Sequence, residues 1–151
     1  MEHTRLNESR TRSQERICIV MACEDQHEAS EAARQLLQVN SGSLVTYRRA
    51  EDALLNGPAG RVALIILANQ EQTPESTGRM LAWMRRRWPD SSVAVIGNDG
   101  GGKLEVTARI GGACYFVRPV TPDQWRSMFE HVMRSQVGTI EEESLGQRSP
   151  H

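Results

Sequence analysis

The sequence predicts an α/β fold, an open parallel sheet with helices on both faces. Three observations carry this expectation. The runs Ile17 to Cys23 ("ICIVMAC") and Val62 to Ala68 ("VALIILA") are apolar throughout, as strands covered on both sides require. Stretches with helical periodicity separate the apolar runs, supplying the long crossovers that parallel pairing needs. The last of these stretches opens on Thr121, Pro122 and Gln124, a capping box with proline at the first helical position.

The elements follow in order. After the first strand, Ala29, Ala32, Ala33, Leu36 and Leu37 recur at the spacing of one helical stripe. "SLVTY" reads as a second strand, and "AEDALL" as a short helix closed by Asn56-Gly57-Pro58. "VALIILA" is the third strand. A third helix carries Met80, Leu81, Trp83, Met84 and Trp88 and stops before Pro89. "VAVI" is the fourth strand, a glycine-rich loop follows, and Lys103 to Ile110 form a weak helix ended by Gly111-Gly112. "CYFV" is the fifth strand. The final helix buries Trp125, Met128, Phe129, Val132 and Met133. The polar ends are expected as tails, disordered over 1–15 and flexible over 138–151, leaving one domain over 16–137.

A chain of 151 residues can bury one core without staples. Charge is balanced at 18 Lys plus Arg against 19 Asp plus Glu, which speaks against nucleic acid or an anionic membrane as the partner of the whole surface. "WMRRRWP" mixes aromatic and basic residues, but Trp83, Met84 and Trp88 share a helical face and read as core or its rim. The three cysteines have no zinc spacing, and no apolar run reaches membrane-spanning length, so a cytoplasmic protein is expected. The four histidines are scattered and form no site.

In a parallel sheet the carboxyl ends of the strands form the ligand crevice. Here those ends carry Glu24-Asp25, Asn69, Gly97-Asn98 and Arg118-Pro119. In identity and order they resemble the receiver domain of two-component response regulators. The likeness runs through "CEDQHEASEAARQLL", "AEDALL" and "GGACYFVRPVTPDQW", and Asp25 and Asn69 stand about as far apart as the family's acidic pair and phosphoacceptor. The resemblance implies a flavodoxin-like sheet of strand order 2-1-3-4-5. It also implies an acidic pair that holds Mg²⁺, a phosphorylated aspartate after strand three, a hydroxyl after strand four, and a lysine before proline after strand five.

Glu24 and Asp25 keep the acidic pair; the other positions depart. Asn69 replaces the aspartate, and a carboxamide has neither the charge nor the nucleophilicity to form an acyl phosphate. Gly97 removes the hydroxyl. Arg118 replaces a compact ammonium by a planar fork suited to a fixed carboxylate, and the expected partner is Glu24 or Asp25. Magnesium binding at Glu24 and Asp25 is weakened without the third carboxylate, and Asp25 can instead cap the first helix with Glu28 at its third position. No other cofactor is expected. The Arg118-Pro119 bond is a setting for a cis peptide.

The reading is a stand-alone, non-phosphorylatable receiver-like module, not an enzyme, acting through a signalling protein partner or a homodimer. The face of strands four and five with their helices is the expected contact surface, as the resemblance implies. Two alternatives stay open. One is a response regulator switched by an atypical signal at the crevice. The other is a nucleotide-binding protein using "GNDGGGK", where Gly97 to Lys103 spell G-x-x-x-x-G-K but Leu104 stands where a P-loop has Ser or Thr.

Overall fold

The computed structural model describes residues 17–39 and 42–148. In chain order the elements are β1 (Cys18–Ala22), α1 (Gln26–Val39), β2 (Ser43–Tyr47), α2 (Ala50–Asn56) and β3 (Leu64–Leu67). They continue with α3 (Pro74–Arg87), β4 (Ser92–Gly97), α4 (Lys103–Ile110), β5 (Cys114–Val117) and α5 (Pro122–Arg148). All four strand pairs are parallel, in the order β2-β1-β3-β4-β5. This is the flavodoxin-like sheet expected from the sequence.

Successive residues of a strand point to opposite faces, so each apolar strand feeds two cores. Ile19, Met21, Leu64, Ile66, Ala94 and Ile96 join Leu36 of α1 and Trp125 and Phe129 of α5. Val20, Ala22, Ile65, Leu67, Val93 and Val95 join Ala53, Met84 and Ala108 from α2, α3 and α4. The unbroken apolar runs therefore have a direct cause. Every side chain of the central strands is needed by one layer of helices or the other.

The helix ends follow local chemistry. At α5, Gln124 N–H donates to Thr121 Oγ1 at 3.1 Å and Thr121 N–H donates to Gln124 Oε1 at 3.0 Å, the capping box read from the sequence. A second box, which the sequence reading missed, starts α3: Ser76 N–H donates to Thr73 Oγ1 at 3.1 Å, with Pro74 next in the chain. At the far end of α3, Trp88 N–H donates to Met84 O at 2.8 Å. The helix α5 continues through Arg148 instead of ending at Val137. Residues 138–148 lack the apolar stripe but contain the helix formers Glu141, Glu142, Glu143, Leu145 and Gln147, and no proline intervenes before Pro150. The N-terminal tail expectation for 1–15 lies outside the described residues.

Two side chains depart from their expected burial. Leu37 is 72% exposed, because the contact of α1 with the sheet and α5 is centred on Ala32 and Leu36. Trp83 is 46% exposed, whereas Met84 and Trp88 are buried. Two of the three neighbouring arginines are tied into the fold. Arg85 donates from Nε and Nη2 to Gly111 O at 2.9 and 2.6 Å, joining α3 to the end of α4. Arg87 lies over the Trp88 ring at 4.7 Å and reaches Pro58 O at 3.1 Å. Trp88 packs so closely on Gly57 that a Cβ there would lie 2.7 Å from the ring, which requires glycine after α2.

The two tryptophans make the core testable. Trp125 is 1% exposed and stacks on Phe129 with centroids 5.9 Å apart. Trp125→Ala is expected to lower unfolding free energy by about 3–5 kcal/mol in urea denaturation. Trp83→Ala is expected to cost much less, below about 1 kcal/mol.

Candidate functional site

Parallel strands end on one edge, so the loops after β1, β3, β4 and β5 meet in a single crevice. Glu24, Asn69, Gly97 and Arg118 all stand at these strand ends. Asp25 stands slightly apart, at the start of α1. Its Oδ1 accepts from His27 N–H at 2.9 Å and from Glu28 N–H at 3.4 Å, so the carboxylate caps the helix.

The expected partner of Arg118 was Glu24 or Asp25; the structure corrects this to Glu28. Arg118 Nε donates to Glu28 Oε2 at 3.0 Å and Nη2 to Glu28 Oε1 at 3.1 Å, a two-pronged pair. The side chains are only 13% and 12% exposed. The reason is competition for carboxylates. Asp25 is occupied by its own helix, Glu24 by the loop after β3, and Glu28 lies about one turn further along the chain, in α1, where its carboxylate meets Arg118 and the Cys23 thiol. Arg118 also donates to Ala68 O, to Asn98 Oδ1 at 3.2 Å and to Ile96 O at 3.4 Å. One guanidinium thus joins α1 to the ends of β3 and β4 through charge-assisted hydrogen bonds.

The remaining polar groups satisfy one another. Asn69 Nδ2 donates to Glu24 Oε1 at 3.1 Å and to Arg48 O at 2.7 Å. Both partners are acceptors, which fixes the orientation of the amide. Gln70 N–H also donates to Glu24 Oε1, at 2.8 Å. Partial burial of Glu24 acts to raise its pKa, but the hydrogen bonds from Asn69 and Gln70 outweigh it and hold the carboxyl below its ordinary value. Gln72 Nε2 faces three carbonyls, Ile96 O at 2.9 Å, Asn69 O at 3.0 Å and Leu67 O at 3.3 Å. Sequence reasoning missed Gln72, because a glutamine in a polar loop carries no signal of where its amide points.

Gly97 serves packing. A Cβ at this position would lie 2.0 Å from Tyr115 Oη and 2.8 Å from the adjoining ring carbon. The absent side chain lets Tyr115 turn inward, where its hydroxyl donates to Asp99 O at 2.6 Å and secures the loop after β4. In that loop, Gly101 N–H donates to Glu105 Oε1 at 2.8 Å, and Glu105 pairs with Arg109 at 2.9 Å. Before the start of α4, where a P-loop would cradle phosphate, the Gly101 amide is taken by the protein's own carboxylate. Below the crevice the buried Cys23 thiol donates to Glu28 Oε1 at 3.4 Å. Burial, aided by the Glu28 charge and opposed by a hydrogen bond to Asp25, pushes this thiol up to about 12.

Magnesium takes carboxylate, carbonyl or phosphate oxygens. As disposed here the residues do not fit it: Asp25 caps a helix, Glu24 accepts two hydrogen bonds, and Asn69 turns its N–H groups toward Glu24 and Arg48 O. Among the described residues, no group of three His, Cys, Asp or Glu could hold a metal ion.

No family model matches the sequence, and no curated protein matches it. Solved structures do match. A response regulator from Thermotoga maritima superimposes with a TM-score of 0.70 at 14% identity, covering 80% of this chain and 99% of that one. This is the receiver fold. The receiver domain of an HD domain-containing protein from Pseudomonas fluorescens has a TM-score of 0.65 at 21% identity, covering 82% of this chain and 99% of that one. An orphan response regulator of H. pylori has a TM-score of 0.63 at 13% identity, covering 78% of this chain and 94% of that one. The likeness is one of fold. What the crevice does depends on its residues.

The Arg118–Glu28 pair predicts strong coupling. Glu28→Ala strands a part-buried guanidinium and is expected to cost about 3 kcal/mol. Glu28→Leu with Arg118→Met is expected to cost less than the two single changes added together, with a coupling of at least about 1 kcal/mol in a urea double-mutant cycle.

Glu24 predicts a pH dependence. Its folded-state pKa is lowered, so its stabilisation is present above the ordinary value of 4.5 and is lost as pH falls through the lower folded value. Glu24→Gln is expected to reduce the loss of stability between neutral pH and about pH 3, measured by urea midpoints.

Proposed function

We propose that this chain is a receiver-like signalling module that is not phosphorylated at its crevice and acts by binding another protein. The observation that carries the reading is the saturated crevice. Asn69, at the end of β3, donates to Glu24 where a carboxylate nucleophile would be required. Arg118 is held by Glu28, and Gly97 offers no hydroxyl to an incoming phosphoryl group.

A module without catalysis must signal through surface. Val106 and Ile110 of α4 and Val117 of β5 are exposed large apolar side chains, and they support a contact face around β5 and α4. The partner is a signalling protein or a second copy of the chain. Occupancy then follows partner concentration and competition, and the module is non-enzymatic. No helix among the described residues is long and apolar enough to cross a membrane.

Intact-mass spectrometry after incubation with acetyl phosphate and Mg²⁺ tests the reading. The native chain is expected to keep its unmodified mass. Asn69→Asp is expected to keep it as well, because Asp25 still caps α1 and Arg118 still pairs with Glu28. A base-labile phosphoryl adduct on the native chain would overturn the proposal. An adduct on Asn69→Asp alone would show that the amide, and not the saturated crevice, is the obstacle.

A further inference from the structure

A second cleft, of about 560 Å³, lies between the sheet and α5 at the amino ends of the strands, away from the crevice. Leu64, Ser92 and Cys114, the first residues of β3, β4 and β5, all border it. Its origin is in the packing of α5. Trp125 and Phe129 anchor that helix in the core shared with α1, and α5 packs chiefly on α1. The flank of α5 over β4 and β5 is left open.

The lining has two parts. Phe116, Met128 and Val132 provide an apolar floor. Arg85, His131 and Arg134 provide cationic and donor groups, and among the described residues no carboxylate lines the cleft. None of these three forms an ion pair with another described residue. Arg85 uses Nε and Nη2 on Gly111 O, which leaves its Nη1 for another acceptor. An apolar body fits the floor and an anionic head fits the rim. The volume lies within the range of about 300–1,000 Å³ common for small-molecule sites.

We propose that this cleft binds a small amphipathic anion, a carboxylate carrying a short acyl chain. Binding would use the floor for the chain and the two guanidiniums with the His131 imidazole for the head. The cleft lies apart from the crevice and borders the proposed contact face at β5, although Val106, Ile110 and Val117 do not line it.

Cys114 reports occupancy. It borders the cleft and is the exposed cysteine, whereas Cys18 is half-buried and Cys23 buried. The full-length chain is alkylated with neutral iodoacetamide, with and without decanoate below its micelle concentration, and Cys114 modification is followed by peptide mass spectrometry. Decanoate is expected to slow modification saturably, about tenfold at ten times its dissociation constant. Decyltrimethylammonium is expected to give no protection. His131→Glu with Arg134→Glu, both exposed positions, is expected to lose the decanoate effect while keeping the native circular dichroism spectrum. Absence of protection by decanoate, equal protection by the cation, or undiminished protection in the folded double variant would each overturn the proposal.

Discussion

Arg118 is the tie on which the crevice depends. Its backbone N–H donates to Gly97 O at 2.8 Å, and its side chain reaches Glu28, Asn98 and the carbonyls at the ends of β3 and β4. The ends of parallel strands present carbonyls that need donors, and burying them unpaired is costly. A guanidinium supplies several donors in one plane, and its charge is balanced by a carboxylate one turn into α1. With Gln72 serving further carbonyls at the same edge, the polar groups of the crevice are paired with one another.

The same economy of space governs the loop after β4. Gly97 lacks a side chain, Tyr115 fills the vacancy, and the tyrosine hydroxyl secures Asp99. Burial, followed by the nearby Glu105 and Asp99 charges, raises the pKa of that hydroxyl, which keeps it a donor. Glu105 then occupies the amide of Gly101. A glycine-rich segment that spells most of a phosphate-binding motif therefore forms a bound loop with its anion supplied from within. These contacts tie the loop to the start of α4 and to β5.

The two clefts differ in what their surroundings leave unpaired. At the carboxyl edge, every site acid has a donor among its neighbours. At the amino edge, Arg85, His131 and Arg134 gather without an opposing carboxylate among the described residues, above an apolar floor. The difference arises from α5, whose aromatic pair fixes it toward α1 and leaves its β5 side open.

Much of the fold was legible in the sequence because its causes are local. Apolar runs must be buried on both faces, Thr121 and Gln124 can only meet across a helix start, and Gly57-Pro58 cannot continue a helix. The strand-end residues were legible because a parallel sheet brings equivalent ends together. The length of α5 was not, since loss of an apolar stripe was read as loss of helix. Leu37 and Trp83 misled because a helical stripe shows which side is apolar and not how far its neighbour extends. By itself the sequence determined the alternation of strands and helices, the absence of a nucleophilic carboxylate at Asn69, and a cation at the same sheet edge as the acidic residues. Only the tertiary structure decided that Arg118 takes Glu28, that Asp25 caps a helix, and that Gly97 makes room for Tyr115. Those choices rest on distances between groups up to 90 positions apart in the chain, which are set by how helices pack on the sheet.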